Sequence, residues 1–329
     1  MAAKPLADVV SAASSLVSSQ SGLPANEIRA LDKRLDSLGA EAAKQGRRAV
    51  PSLAASALDA SQPLKLRIWL VSYLQAVHDP DAFPPLRRLL LDPAQPDLLR
   101  EAAVRALAGC PVSAPARSRA LCDALVADPG PEARMQALFE LGPLGCENPA
   151  ALERWAAAGG SKPSGRAAAE AGHAIQALAR TRATAALDAL DRLAGRYARG
   201  QALRGAVLRA LTGRAAELAR DPERWNERAR ALLTEESRFP ENAQAALALV
   251  AALGDPASAE LAARYLNDPD AGVVVAAAET LAALKARAQR PAVVAVFDGF
   301  YADPRFAGGP GRDPTAWYGR LAAALKALQ

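Results

Sequence analysis

Histidines and nucleotide-binding loops, which could serve metal or cofactor chemistry, are nearly absent from this sequence. The two histidines, His78 and His173, lie far apart in the chain, and neither is followed by a glutamate. A transition-metal site needs several convergent imidazole, thiolate or carboxylate ligands. No Gly-x-Gly-x-x-Gly run or Walker-type loop occurs, and no serine or cysteine nucleophile has a histidine partner in the sequence. The sequence therefore predicts no metal, no cofactor and no catalytic residue.

The three cysteines, Cys110, Cys122 and Cys146, form a small and odd-numbered set. Such a set argues against a disulfide framework. We therefore expect buried, reduced thiols, with a pairing of Cys110 and Cys122 across neighbouring helices left open.

Positive charge is concentrated in the middle of the chain. Between residues 180 and 230 there are twelve arginines and six acidic residues, a difference of +6, whereas the whole chain carries +5. Arg192, Arg196 and Arg199 are spaced i, i+4 and i+7 and share one helix face. A concentrated positive face attracts phosphate backbones or acidic proteins. The plainer alternative is a solvated, arginine-rich helix face.

Aromatic residues provide two further candidate surfaces. Trp155 and Trp225 end the matching triplets Glu-Arg-Trp and lie 70 residues apart. Together with Arg224 they could contact a partner, or they could pack between repeats. Six of the fifteen aromatic residues fall within 22 residues near the C-terminus. That cluster either caps the core or forms an exposed docking patch next to the loop Ala307–Gly311. The patch would consist of Phe300, Tyr301, Phe306, Trp317 and Tyr318.

Helices must position all of these residues, because the sequence is rich in Ala and Leu, and Ala is the best helix former. Asp-Pro dipeptides punctuate the helical segments, since Asp is a good N-cap and Pro fits the first turn. The aspartates Asp92, Asp128 and Asp268 are separated by 36 and 140 residues, and 140 is four times 35. A period of about 35 residues therefore predicts nine first helices and about eight complete antiparallel pairs. This count assigns the helices that carry Trp155, Arg192 and Trp225 as second helices.

Residues 253–284 resemble the bacterial HEAT-like repeat of the phycobilisome-lyase type. The resemblance is recognisable in residues 79–109 and 115–141 and only periodic elsewhere. It implies a right-handed α-solenoid whose interaction surface lies on a concave face lined by second helices. Iron-dependent deoxyhypusine hydroxylases share such repeats but use His-Glu pairs, which are missing here. HEAT-like alkylpurine DNA glycosylases place Trp and Asp in a basic groove, so a glycosylase is a remote alternative.

The sequence thus predicts one all-α domain over residues 1–329. Residues 1–21 form a capping helix, residues 22–302 the repeats, and residues 303–329 a loop and a last capping helix. The expected function is a non-catalytic scaffold that binds protein partners, with an acidic partner as one candidate. A nucleic-acid-binding protein that uses the arginine-rich repeats is the alternative. No stretch reaches the roughly 18 apolar residues of a membrane span, and a cytoplasmic location is the default expectation.

Overall fold

The computed structural model describes residues 6–20, 24–307 and 313–329. In these ranges the chain forms nineteen α-helices and no β-strand, which confirms the all-α fold. The first nine are α1 (Leu6–Ser18), α2 (Ala25–Lys44), α3 (Val50–Leu58), α4 (Leu64–Val77), α5 (Phe83–Leu91), α6 (Asp97–Ala108), α7 (Ala114–Val126), α8 (Pro131–Leu144) and α9 (Pro149–Ala157). The next five are α10 (Gly165–Arg180), α11 (Thr184–Arg196), α12 (Ala202–Thr212), α13 (Ala215–Leu218) and α14 (Pro222–Glu235). The last five are α15 (Pro240–Leu253), α16 (Ala259–Arg264), α17 (Ala271–Ala283), α18 (Arg290–Gly299) and α19 (Pro314–Ala327).

Short 3-10 turns precede or extend several of these helices: Gly46–Ala49, Pro80–Ala82, Pro256–Ser258, Tyr265–Asn267, Arg287–Gln289 and Pro304–Phe306. Helices α1 and α19 lie where the sequence predicts capping helices. Residues 1–5, 21–23 and 308–312 lie outside the described ranges, and they include most of the Ala307–Gly311 loop.

The chain divides into two compact units. The first comprises Met1–Leu152 with Arg180–Arg182, and the second comprises Glu153–Ala179 with Ala183–Gln329. Each unit is a stack of antiparallel helix pairs. The continuity of one domain over residues 1–329 stays a prediction.

The packing of consecutive helices shows which helix is the first and which is the second of each pair. In the first unit α3 packs on α4, α5 on α6 and α7 on α8; in the second, α11 packs on α12, α14 on α15, α16 on α17 and α18 on α19. The assignment of Trp155, Arg192 and Trp225 to second helices is therefore wrong for Arg192 and Trp225, because α11 and α14 begin their pairs. Trp155 lies on α9, which precedes α10 in the same alternation of first and second helices along the chain. Asp-Pro opens first helices such as α14 as well, so the dipeptide marks helix starts and not the phase of the repeat.

Successive second helices pack directly against one another. In the second unit this second-helix row runs α12, α15, α17 and α19, and in the first unit it runs α2, α4, α6 and α8. The first helices of neighbouring pairs are spaced more widely. In a stack of helix pairs the more closely spaced row lies on the concave side. Alanine-rich faces on α15 and α17 permit this close approach, because interaxial distance depends on the side chains at the contact.

Aspartate caps occur at several of the Asp-Pro dipeptides, such as those of Asp79 and Asp313, as the sequence predicts. The Asp79 carboxylate accepts the Asp81 backbone N–H at 2.9 Å, and Asp313 accepts that of Thr315 at 2.9 Å. Asp270 accepts the Val273 N–H at 3.1 Å and caps α17. These bonds satisfy N–H groups that have no partner within the helix. Asp92, Asp128 and Asp268 do not cap the helices that follow them, whose N-caps are Pro96, Gly130 and Asp270.

Buried arginines close the helix pairs. In three pairs, an arginine in the first turn of the second helix donates to a carbonyl at the end of the first helix. The Nε–H or Nη–H bonds run from Arg67 to Ala57 O (2.8 Å), from Arg100 to Leu90 O (3.0 Å) and from Arg204 to Tyr197 O (3.1 Å). All three arginines are at most 6% exposed. Because the last carbonyls of a helix lack intrahelical partners, each guanidinium satisfies an acceptor that would otherwise be buried without one.

Buried tyrosines join one pair to the preceding one. The hydroxyls of Tyr73, Tyr197 and Tyr265 donate to backbone carbonyls 32 to 41 residues earlier, at distances of 2.6 to 2.8 Å. Burial raises the pKa of Tyr197 and of Tyr265 to about 12, and it raises the pKa of Tyr73 as well. The ring of Tyr73 lies against Gly39 of α2, where a Cβ atom would stand 2.8 Å from the ring. The hydroxyls therefore fix the spacing of neighbouring pairs.

Two cysteines form a disulfide, which corrects the expectation of three reduced thiols. Cys122 of α7 is bonded to Cys146, which follows α8, with a Cα–Cα distance of 5.7 Å. The sequence left open a different pairing, Cys110 with Cys122, and the structure excludes it because Cys110 is a free, buried thiol. Burial raises the pKa of Cys110 to about 11. Which helix ends meet is decided by the packing of α7 on α8 within their pair, which cysteine spacing does not show.

Replacing a pair-closing arginine should destabilise the fold. We expect Arg100→Met to lower the free energy of unfolding by about 1–3 kcal/mol, because the Leu90 carbonyl loses its donor. Urea denaturation followed by circular dichroism measures the effect. Arg88→Met, at an exposed position of α5, is the matched control and should stay within about 0.5 kcal/mol of wild type. Equal losses in both variants would contradict the role of Arg100.

Thiol counting tests the disulfide. We expect protein isolated without reductant and alkylated in denaturant to gain one label, on Cys110, and to gain three after reduction, since the chain has three cysteines. Intact-mass spectrometry reads both numbers. Three labels before reduction would show that Cys122 and Cys146 are not bonded in solution.

Candidate functional site

Half of the arginines in the arginine-rich segment form ion pairs, most of them with carboxylates of neighbouring repeats. Arg192 donates two hydrogen bonds to Glu153, each 2.7 Å long, and these bonds raise the pKa of Arg192. Arg224 lies 2.9 Å from Asp188, and this hydrogen bond likewise raises the pKa of Arg224. Six of the twelve arginines between residues 180 and 230 have a carboxylate within 4.0 Å: Arg192, Arg204, Arg214, Arg224, Arg228 and Arg230.

Arg196 and Arg199 are the members of the predicted face that remain available. Both are exposed, and no ion pair joins either to a carboxylate in the part of the chain that the structure describes. They lie at the end of α11 and just beyond it, on the more widely spaced row of first helices. The predicted positive stripe is therefore reduced to two arginines away from the second-helix row.

The two tryptophans are buried, which removes them from any contact surface. Trp155 is 7% exposed and Trp225 is 4% exposed. The guanidinium of Arg154 covers the Trp155 ring at 4.7 Å, and that of Arg224 covers Trp225 at 4.6 Å. Rings buried to this degree cannot stack on a nucleobase. The expectation of tryptophan contacts on a concave face, on which the glycosylase alternative depends, is wrong.

The C-terminal aromatic cluster is mainly core. Phe300 and Phe306 stack at 4.6 Å between ring centroids and are 2% and 3% exposed. Tyr318 contacts Phe300 at 5.4 Å and is half-buried. Tyr301 is 84% exposed, and Trp317 is half-buried. Burial of Phe300 and Phe306 corrects the five-residue docking patch, which retains Tyr301, Trp317 and Tyr318 at the surface.

A groove between α15 and α17, not foreseen from the sequence, is a concave feature of the second unit. Its cavity volume is about 780 Å³. We call it the alanine groove after the residues of its floor, Ala245, Ala248, Ala252, Ala276 and Ala283. Because these side chains end at Cβ, they leave space between the two helices while their neighbours on the opposite face fill the core. The groove lies on the second-helix row, where the resemblance to HEAT-like repeats implies an interaction surface.

Charged residues line the sides of the alanine groove. Glu279 of α17 accepts two hydrogen bonds from Arg320 of α19, at 2.6 and 2.7 Å, and the first of them raises the pKa of Arg320. Glu241 in the first turn of α15 and Arg209 on α12 are both exposed. Neither has an ion pair within 4.0 Å among the described residues. The groove therefore offers one available carboxylate and one available guanidinium.

A second cavity of about 670 Å³ continues the alanine groove beyond the first turns of α15, α17 and α19. The two cavities share Glu241, Gln244 and Arg320. The second is flanked by Phe239 and Trp317, which we call the aromatic end. Phe239 is 37% exposed and lies on Gly200, where a Cβ atom would stand 2.3 Å from the ring. Gly200 also has φ +76°, so glycine is required there twice over.

A buried polar cluster holds the aromatic end in place. Glu236 is fully buried, and its Oε1 lies 2.6 Å from Nε of Arg204. The other carboxylate oxygen of Glu236 accepts the Gly200 N–H at 3.0 Å and the Asn242 side-chain amide at 2.8 Å. A buried charge needs this degree of pairing. The cluster therefore fixes the turn before α12 relative to the start of α15. It thereby also fixes the position of Phe239 on Gly200.

Metal-ligating chemistry is not assembled in the described ranges. No group of three or more His, Cys, Asp or Glu side chains there could hold a metal ion. His78 lies, as predicted, in the turn before Asp79, in the left-handed conformation that ends α4. None of the described helices is long and apolar enough to span a membrane.

The fold and the groove define an α-solenoid of HEAT-like helix pairs, and solved structures place it among known proteins. A mutant of the helical-repeat protein Kap121p is similar over 98% of this chain and 37% of its own, with 14% identity and a TM-score of 0.58. Kap121p bound to Pho4p is similar over 98% and 41%, with 14% identity and a TM-score of 0.50. Human deoxyhypusine hydroxylase in complex with glycerol gives 18% identity, coverage of 85% and 97%, and a TM-score of 0.35.

These likenesses show the fold alone. The chain spans about two fifths of the length of the Kap121p chains that it matches. No protein-family model and no curated protein matches the sequence.

The predicted positive face should bind nucleic acid weakly, since two of its three arginines, Arg196 and Arg199, remain available. Log affinity for a labelled random duplex should fall with log salt at a slope no steeper than about −2, because the slope is about −0.9 for each phosphate contacted. Fluorescence anisotropy at several salt concentrations measures it. Replacing Arg196 and Arg199 with Ala should remove the dependence, whereas replacing the paired Arg192 and Arg224 should leave it unchanged. A slope near −5 would show that arginines outside this face also reach phosphates.

Proposed function

We propose that this chain is a non-catalytic scaffold that binds a protein partner in the alanine groove of its second unit. The observation that carries the proposal is an apolar floor of alanines on the closely packed second-helix row, bordered by charged side chains. Binding sites combine apolar area with a few placed polar groups. Buried apolar area gives such a site affinity, and Glu241 and Arg209 would give it orientation.

The solved structures support the scaffold reading through fold only. Kap121p is a helical-repeat protein, and one of its structures holds Pho4p. The finer parts of the sequence interpretation, a bacterial source and kinship with phycobilisome-lyase-type repeats, remain proposals that rest on the resemblance of residues 253–284.

The compartment also remains a proposal. The sequence favours the cytoplasm by default, but the bond between Cys122 and Cys146 favours an oxidising environment, because reduced glutathione and thioredoxin keep cytosolic thiols free. We therefore propose that the chain works where disulfides persist.

A nucleic-acid partner is the second candidate, and the exposure of Arg196 and Arg199 favours it. Phosphate contacts dominate such binding, and each contact needs an available cation. The predicted positive face retains two available arginines, and these lie on the first-helix row, which makes this the weaker candidate.

A charge on the floor of the alanine groove should weaken partner binding. We would select 12-residue peptides from a random display library on the full-length protein and measure their affinities by fluorescence anisotropy. Ala248→Glu places a charge on the exposed floor, and we expect it to weaken binding at least about tenfold, which is about 1.4 kcal/mol.

Ala185→Glu supplies the control for that experiment, since Ala185 is also exposed but lies on α11, away from the groove. Its affinities should match wild type, and circular dichroism should show both variants folded. Peptides that bind Ala248→Glu as tightly as wild type would refute the proposed site.

A further inference from the structure

We infer that the partner segment is an amphipathic α-helix that lies antiparallel to α15 and carries a basic side chain in its last turn, at the aromatic end. The inference rests on the proposed function and names the class of partner that the same groove accepts. Four features of the groove carry it: its length, its satisfied backbone, the direction of its helices and the charge of Glu241.

The dimensions of the groove suit a short helix. Its lining runs along α15 from Glu241 to Ala252, which at 1.5 Å per residue is about 16 Å, or three turns. Methyl groups form the floor between α15 and α17. Because interaxial distance falls as contact side chains shrink, a third helix can settle between the two.

An extended segment would find little to bind there. Recognition of an extended peptide by strand addition needs a sheet edge with free backbone groups. The described residues contain no strand, and the backbone of α15 and α17 is hydrogen-bonded within each helix. A helix satisfies its own backbone and needs only side-chain contacts, which is what an alanine floor provides.

The direction of the partner helix follows from the helix N-termini that surround the aromatic end. The first turns of α15, α17 and α19 all contribute to the second cavity, through Glu241, Gly272 and Trp317. A helix N-terminus carries about half a positive charge and a C-terminus about half a negative charge. An antiparallel partner brings its negative end to these three positive ends, whereas a parallel partner would bring a fourth positive end.

The charge on the partner follows from Glu241. Its carboxylate is exposed and has no ion pair among the described residues, whereas Asp270 nearby is occupied in capping α17. Phe239 and Trp317 stand beside it, and aromatic faces attract cations. A Lys or Arg in the last turn of the partner meets all three groups. It also stabilises its own helix, since cations favour helix C-termini.

A partner with a basic end is the opposite of the acidic partner that the number of arginines between residues 180 and 230 suggests. Half of the arginines in that segment are ion-paired. The groove has an available guanidinium, Arg209 on α12, but the available charge at its aromatic end is the carboxylate of Glu241. A phosphate backbone would meet a carboxylate at the aromatic end, so a nucleic acid does not fit the groove.

Sequences selected from the same display library on the full-length protein test the inference. We expect apolar residues spaced i, i+3, i+4 and i+7, no internal proline, and Lys or Arg enriched in the last four positions. Glu241→Lys should weaken binding of such a peptide about tenfold. Glu260→Lys is the matched control, because Glu260 is exposed on α16, outside the groove, and it should have no effect. Moving the basic residue to the first turn of a synthetic peptide should also weaken binding.

The outcomes separate this inference from the proposed function. Peptides that lose affinity with Ala248→Glu but contain proline, carry acidic ends or ignore Glu241→Lys would overturn the inference and leave the groove as the binding site. Peptides that ignore Ala248→Glu would overturn both. Peptides with the expected pattern, sensitive to Ala248→Glu and Glu241→Lys but not to Glu260→Lys, would support both.

Discussion

The end of a first helix leaves backbone carbonyls without partners, and in three of the described pairs a buried guanidinium from the second helix reaches one of them. Arg67, Arg100 and Arg204 perform this role from the first turn of the following helix. A carbonyl buried in a tight helix turn is shielded from water, so leaving it unsatisfied would cost about 1–3 kcal/mol. The guanidinium fixes how close the second helix stands to the first. Arg204 has a further consequence, because it also pairs with buried Glu236 and so anchors the turn beneath Phe239.

Many of the ion pairs among the described residues join side chains of neighbouring repeats. The pairs Arg192 with Glu153, Arg224 with Asp188 and Arg320 with Glu279 each join residues 36 to 41 positions apart. Exposed ion pairs of this kind contribute roughly 0–1 kcal/mol each, so they add little stability. Their larger effect is on the surface potential, since each pair removes a cation from what the sequence presents as a positive stripe.

The aromatic patch that the sequence suggests and the alanine groove that the structure shows differ in the size of their residues. Large aromatic side chains such as Phe300 and Phe306 gain most from burial, and they close the core. Alanines can be exposed at small cost, and a row of them between parallel helices leaves a groove. The proposed binding surface is thus lined by small residues, while large aromatic residues such as Phe300 and Phe306 stabilise the fold. Tyr301 is exposed away from the lining of the groove, and the partly exposed Phe239 and Trp317 both stand at the end of the groove.

Local sequence determined the helical content, the helix starts and the 35-residue period, because capping, proline placement and alanine propensity act within a few residues. A Leu-Arg dipeptide stands at the start of the second helix at Leu66, Leu99 and Leu203, and this signal could have revealed the pair-closing arginines. The phase of the pairs, the Cys122–Cys146 bond, the neutralised arginines and the alanine groove were decided by tertiary structure. Each depends on which side chains meet across 24 to 41 residues, and that is set by helix packing and leaves no local mark on the chain.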